Sequence, residues 1–205
     1  VVQAAAMLVL GFLATMGAEG GTEAWVSGFL DRSLAAVMPG LGAEARLRVT
    51  GAFAQVFPGA VAGSWTLMVV VNGAIAQAIL VRAGRNRRPP TPFRALELPH
   101  GLTGLLVAAA VVALAGSLMA WPEMRYMGRN LVVVLAVPYV FLGLAVVHTL
   151  VPRAPYPGLV LAAFYMVVIL AGWPIVVIAA TGLVEQWSGI RRRFAPPDDP
   201  HGASG

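Results

Sequence analysis

Long apolar runs without a single charged side chain are the feature that most limits how this chain can fold. Four of these runs cover residues 60–81, 101–121, 130–151 and 158–184. Each is longer than about 20 residues, the length of helix that crosses the hydrocarbon core of a bilayer. A fifth apolar run, residues 1–18, opens the chain, with Gln3 as its only strongly polar side chain. The pattern predicts five membrane segments.

The composition excludes a soluble domain and leaves one fold class. Of 205 residues, 59% are hydrophobic and 11% are charged, whereas a soluble domain carries about 25% charged residues. Because a helix satisfies its own backbone hydrogen bonds in lipid, the runs predict an all-α, polytopic transmembrane helix bundle. We expect residues 1–194 to form one integral membrane domain and residues 195–205 a disordered polar tail. Since the chain opens inside an apolar run, we expect it to be a fragment of a longer protein.

An amphipathic segment separates the first two apolar runs. Its apolar side chains share one helical face, and they are Trp25, Val26, Phe29, Leu30, Leu34, Val37 and Met38. Polar side chains occupy the other face, and Pro39 ends the pattern. Such a helix either lies in the membrane interface or packs on its own protein as a connector. A second amphipathic segment, residues 43–57, carries Glu44 and Arg48 at the spacing of a helical ion pair.

The arginines lie mostly at the ends of apolar runs, which is typical of topology signals and not of a nucleic-acid surface. Five lie in the connector between the second and third runs, and they are Arg82, Arg85, Arg87, Arg88 and Arg94. This excess predicts that the connector is cytoplasmic. A second group follows the last run, and its members are Arg191, Arg192 and Arg193.

The two arginine groups conflict, because three apolar runs lie between them and three full crossings would put them on opposite sides. One explanation is that residues 130–151, which contain Pro138, re-enter the membrane without crossing it. The other explanation is that the tail departs from the positive-inside rule. We prefer the cytoplasmic side for the tail.

Few polar side chains interrupt the apolar runs, so each is a candidate for lining a solute site. Asn72 and Gln77 lie in the second run, where an amide is costly unless it is paired. Hydrogen bonding between helices is the commoner role for such residues. Trp173 precedes Pro174, which predicts a kink of the kind that lines transporter cavities. His148 lies near the end of the fourth run, where a lone histidine is more often an interfacial residue than a proton relay.

Two further groups of residues carry structural predictions. Gly59 and Gly63 form a small-xxx-small pair, which predicts close packing of helices. Glu185 and Trp187 follow the last run, and with the arginines of the tail they are expected to anchor the helix end at the headgroup level.

No sequence motif supports an enzyme, a metal site or a cofactor. The chain contains no cysteine, and its three histidines show no metal-ligand spacing. Neither a nucleophile elbow nor a phosphate-binding loop is present, and no aspartate lies within an apolar run. The expected partners are therefore the lipid bilayer, a small-molecule solute and a membrane protein, and not a nucleic acid.

Three stretches of sequence, taken together, resemble a known family. They are residues 92–99 (PFRALELP), 143–148 (GLAVVH) and 182–193 (GLVEQWSGIRRR). In these stretches the chain is similar to the proteobacterial form of the YybS-like family of bacterial membrane proteins, a domain of unknown function called DUF2232. The resemblance implies the late helices of a longer membrane bundle in a bacterial inner membrane, of which this chain would be the C-terminal two-thirds. It implies no catalytic residue, because the family has no established activity.

Two functions are consistent with these observations. In the first, the chain is a substrate-binding or transport-related subunit that resembles the S-components of energy-coupling-factor transporters. Its site would be lined by Asn72, Gln77, His148 and Trp173. In the second, the chain is a non-transporting envelope scaffold that resembles MreD and recruits a partner through the arginine-rich connector. Both likenesses rest on fold analogy.

Overall fold

The computed structural model describes residues 1–85 and 96–189, and every regular element in these two stretches is helical. The prediction of an all-α fold is confirmed. The described α-helices are α1 (Val2–Thr15), α2 (Gly21–Val37), α3 (Ala43–Ala54), α4 (Phe57–Arg82), α5 (His100–Leu118), α6 (Pro122–Leu150), α7 (Pro157–Ala171) and α8 (Pro174–Ser188). A 3₁₀ turn, Val151–Arg153, follows α6.

The lengths of the helices separate full spans from shorter segments. Within the described residues, α4, α5 and α6 with its 3₁₀ turn are long and apolar enough to cross a membrane. The pair α7 and α8 passes the same test jointly, but it is bent by 119° at its break. α1 has 14 residues, about 21 Å of helix against about 30 Å of hydrocarbon. The five predicted segments thus correspond to three spans, one bent pair and one short helix.

α6 shows that residues 130–151 are not a re-entrant segment. The helix is continuous from Pro122 to Leu150, and Pro138 lies inside it without ending it. A membrane helix tolerates an interior proline because side chains and neighbouring helices satisfy the freed backbone groups. Re-entry of residues 130–151, which was one explanation for the conflict between the two arginine groups, is therefore wrong. The sharp bend falls instead between α7 and α8.

The described residues divide into two compact units, and α6 contributes to both. One unit holds residues 1–85 and 99–137, and the other holds residues 96–98 and 138–189. In the second unit, α8 runs antiparallel to α6, because Gly182 lies against the carbonyl of Tyr139 and Gly143 lies against the carbonyl of Ile178. A Cβ atom at either glycine would overlap these oxygens. The two helices approach so closely that only glycine fits at the contact.

In the first unit, α4 runs parallel to α6. Gly59 lies against Asn130, and one turn later Gly63 lies against Val137. On another side of α6, Gly128 lies directly against the backbone of α5. Small side chains therefore bring α4, α5 and the first half of α6 into close contact.

α2 and α3 pack on each other beside these spans. Arg46 Nε donates to Asp31 Oδ1 at 2.6 Å and ties the two helices together. The predicted pair of Glu44 and Arg48 is confirmed, with a separation of 3.6 Å between its charged atoms. α2 buries Val26, whereas Phe29 on the same apolar face remains 44% exposed. α2 thus packs on its own protein and also presents apolar surface outwards.

Candidate functional site

A buried polar network joins the start of α6 to the junction between α3 and α4. Asn130 Oδ1 accepts a hydrogen bond from the Gly59 amide at 2.8 Å. Its Nδ2 group donates to the carbonyl oxygens of Gln55 at 3.1 Å and Tyr126 at 2.9 Å. The Tyr126 hydroxyl donates to the Ala54 carbonyl at 2.9 Å. These bonds satisfy backbone groups that the helix break leaves open, and they fix α3 against α6.

A cleft of about 610 Å³ lies beside this network, between α2, α3, α5 and α6. Its polar lining residues are Glu23, Gln55, Ser117, Arg125 and Arg129. Arg129 Nη1 donates to Gln55 Oε1 at 2.5 Å, which orients both side chains. Among the residues that the structure describes, no carboxylate forms an ion pair with Arg125 or Arg129. We call this space the basic cleft.

A second cleft of about 330 Å³ shares Glu23 with the first and also contains Glu123. The Glu123 carboxylate occupies the space beside Gly21, where a Cβ atom would overlap Oε1. Gly21 has a φ of +80°, a conformation that suits glycine. Glu123 Oε2 is buried and has no hydrogen-bond partner within the described part of the chain. We call this space the acidic cleft.

Both clefts lie at the N-terminal end of α6, which carries the charged residues of this helix. α6 has 29 residues, about 43 Å of helix, and so exceeds the roughly 30 Å of a hydrocarbon core. Its charged residues all lie in the first eight positions, and they are Glu123, Arg125 and Arg129. Trp121, which is 56% exposed, precedes this helix, as is common at a membrane interface. The clefts are therefore placed at the level of the lipid headgroups.

None of the four residues predicted to line a solute site lines either cleft. Asn72 and Gln77 are exposed on α4 in the first unit, whereas His148 and Trp173 belong to the second. His148 Nδ1 is 2.9 Å from the Leu144 carbonyl, and Nε2 is 3.4 Å from the Tyr165 hydroxyl. Trp173 is 67% exposed at the bend between α7 and α8. The role of these four residues in lining a solute site stays a prediction.

The residues predicted to set topology are only partly described. Arg82 ends α4, and Arg85 follows it, while Arg87, Arg88, Arg94, Arg191, Arg192 and Arg193 lie outside the described residues. In α8, Glu185 is buried at 4% exposure and Trp187 is 71% exposed. The neighbouring Gln186 Nε2 donates to the Leu98 carbonyl at 3.2 Å. The end of α8 therefore lies beside the residue that closes the arginine-rich connector.

Sequence reasoning missed the residues that line the two clefts. Arg125 and Arg129 lie between two apolar runs, where charges are typical of a connector, but they are one turn apart on one face of α6. Reading the connector as the start of the helix would have revealed that pair. Their neighbour Gln55 directly follows α3, and no local pattern connects it to Arg129.

Comparison with known proteins gives one match. The profile of the DUF2232 family, described as a predicted membrane protein, matches residues 43–185, more than half of the chain. This range includes Gln55, Glu123, Arg125 and Arg129, but Glu23 precedes it. No curated protein and no solved structure matches the chain.

Proposed function

Because the chain belongs to the DUF2232 family of predicted membrane proteins, we propose that it is a multi-pass protein that binds a small polar ligand at the basic cleft, in a transport-related role. The observation that carries this proposal is the pair of arginines without acidic partners in a cleft of about 610 Å³. Ligand sites of this kind typically measure about 300–1,000 Å³ and contain a few convergent polar groups.

The fold itself offers little reason for arginines at this position. The Arg125 side chain makes no hydrogen bond or ion pair in the part of the chain that the structure describes. Arg125 lies in the first turn of α6, where the helix dipole disfavours a positive charge. Residues whose charge the fold does not use, facing a cleft, are candidates for ligand binding.

This proposal keeps the transport-related function suggested by the sequence but moves its site. The likeness to S-components of energy-coupling-factor transporters places a solute between helices, and the basic cleft lies between four of them. Asn72, Gln77, His148 and Trp173 remain predicted lining residues of a site deeper in the membrane. Substitution of Asn72 or Trp173 by alanine tests that deeper site separately.

A screen for ligand-induced stabilisation tests the proposal. The purified full chain in detergent is heated with a panel of free amino acids, organic phosphates and sugars, and Tm is recorded for each. We expect at least one class to raise the Tm of the wild type and to leave that of Arg125→Gln/Arg129→Gln unchanged. Arg48→Gln, on an exposed side chain of α3, is the matched control and should respond like the wild type. A wild type that responds to no compound contradicts the proposed binding function.

We also propose that α7 and α8 enter and leave the membrane on the side of the arginine-rich connector. The first half of α6 runs parallel to α4, and a full crossing by α6 would carry its end to the side of Arg82. The hydrogen bond from Gln186 to Leu98 supports a return of α8 to the same side. Both arginine groups would then obey the positive-inside rule in a bacterial inner membrane. Reporter fusions after Arg85 and after Ser188 should report one common side, and opposite sides contradict the proposal.

The scaffold function remains the second hypothesis. Its arginine-rich connector includes Arg87, Arg88 and Arg94, which lie outside the described residues. Anionic lipid or an acidic partner surface would pair with these charges. Neutralising Arg85, Arg87 and Arg88 together should abolish a cross-linked partner if the scaffold function holds. A partner that persists contradicts it.

A further inference from the structure

We infer that the basic and acidic clefts form one site for a zwitterion, with its anionic group at Arg125 and Arg129 and its ammonium group at Glu23 and Glu123. This inference rests on the proposed binding function and specifies its ligand class. Continuity between the two halves is given by Glu23, which lines both clefts. The formal charges of the four side chains sum to zero, two positive and two negative.

The basic half has the donors that an anionic group requires. Arg125 and Arg129 are four residues apart on α6, so their guanidinium groups reach the same side of the helix. A guanidinium group binds phosphate or carboxylate through two parallel hydrogen bonds. Gln55 accepts from Arg129 through Oε1, which leaves its amide nitrogen available as a further donor. The set therefore fits a phosphate or a carboxylate.

The acidic half has acceptors that the protein does not use. Glu123 Oε2 is buried without a hydrogen-bond partner in the described residues. A buried carboxylate oxygen in this state lowers stability unless a donor reaches it. Gly21 holds the carboxylate in place, since any side chain at that position would displace Oε1. Glu23 and Glu123 both line the acidic cleft, so an ammonium group of a ligand bound there would supply three donors and a compensating charge.

The combination of both halves excludes simpler ligands. An anion without an ammonium group would leave Glu123 unpaired and would be repelled by Glu23. A cation without an anionic group would meet the same difficulty at Arg125 and Arg129. A neutral sugar would compensate neither charge. Discrimination of this kind comes from groups that are left unpaired by the wrong ligand.

Two sources carry this chemistry at the surface of a membrane. One is the phosphoethanolamine headgroup of a phospholipid, and the other is a free amino-acid-like solute. The clefts lie at the headgroup level of α6, where both can reach them. The soluble probe phosphoethanolamine reproduces the shared chemistry. Phosphatidylethanolamine in nanodiscs and free serine then separate the two sources.

Titration calorimetry on the full chain in detergent tests the inference. The probes are phosphoethanolamine, inorganic phosphate and ethanolamine. We expect the wild type to bind phosphoethanolamine at least about tenfold more tightly than either half-probe, since each half supplies charged hydrogen bonds. Arg125→Gln/Arg129→Gln should no longer bind phosphoethanolamine. Glu23→Gln/Glu123→Gln should lose the preference for phosphoethanolamine and bind inorganic phosphate as tightly as phosphoethanolamine.

The control is Glu44→Gln/Arg48→Gln, which removes one charge of each sign from an exposed pair on α3. It should retain the wild-type preference. Glu23→Gln alone serves as the second variant where the double glutamate variant does not fold. Glutamate variants that keep the wild-type preference overturn the zwitterion site. A second outcome would contradict the zwitterion site but leave the proposed function intact. In that outcome the wild type binds other solutes through its arginines, but it binds neither these three probes nor phosphatidylethanolamine nor serine.

Discussion

The two halves of α6 are held in place by different kinds of contact. In the first half, Asn130 and Tyr126 form side-chain hydrogen bonds to the backbone at the α3–α4 junction. In the second half, Gly143 and Gly182 allow the backbones of α6 and α8 to touch. The first half also leaves polar groups unused, above all the Glu123 carboxylate. The comparison indicates that the first half of α6 can bind a ligand because polar groups remain available there. The second half stabilises the fold because its backbone packs closely on α8.

Gly182→Ala is the change from which we expect the largest loss of stability. The added methyl group would overlap the Tyr139 carbonyl and push α8 away from α6. Overpacking of this kind should lower the free energy of unfolding by about 3 kcal/mol. Denaturant unfolding in detergent measures it. Gly158→Ala is the control, because a methyl group there meets no atom within 4 Å. Equal stability of the two variants would show that close backbone packing does not hold the second half.

Asn130→Ala should have the next largest effect. It removes three hydrogen bonds and leaves the Gly59 amide and the Gln55 carbonyl without this partner, which should cost about 2 kcal/mol of unfolding free energy. Asn72→Ala removes the same side chain from an exposed position on α4 and should cost less than about 0.5 kcal/mol. The same unfolding assay compares them. The prediction fails if Asn72→Ala is the more destabilising substitution.

Gly21→Ala should combine a smaller loss of stability with a change in binding. The positive φ of Gly21 makes alanine unfavourable by about 1 kcal/mol, and the new methyl group displaces the Glu123 carboxylate. We therefore expect weaker discrimination between phosphoethanolamine and phosphate. Gly17→Ala has open space around it and should behave like the wild type. If Gly21→Ala discriminates between phosphoethanolamine and phosphate as well as the wild type does, Glu123 is not part of the ligand site.

Asp31→Asn is expected to have the smallest effect. The ion pair with Arg46 is partly exposed to solvent, and pairs of this kind contribute about 0.5 kcal/mol. High salt should reduce the difference from the wild type. Glu44→Gln, at a fully exposed pair, should produce no measurable change. A loss above about 2 kcal/mol for Asp31→Asn would mean that α2 and α3 depend on this contact more than on apolar packing.

The sequence was sufficient for most of the helices but not for the candidate site. The apolar run at residues 60–81 became α4, and the predicted pair of Glu44 and Arg48 is present. These features depend on local periodicity. Arg129 meets Gln55 across 74 positions of sequence, and such a contact depends on how α3 packs on α6. A rare polar residue such as Asn72 is recognised from sequence, but the face it occupies is set by tertiary packing.

The bend between α7 and α8 illustrates the same limit. Gly172 and Pro174 mark a break in the last apolar run, and the sequence predicts a kink there. Its size, 119°, is a property of the folded chain that no local pattern contains.

The most direct test of the account measures stability and binding on the same preparations of two variants. Gly182→Ala should lose stability but still bind phosphoethanolamine at temperatures below its Tm. Arg125→Gln/Arg129→Gln should keep its stability within about 0.5 kcal/mol and lose phosphoethanolamine binding. The reverse outcome, with binding lost only in Gly182→Ala and stability lost only in the arginine variant, would contradict the division of roles along α6.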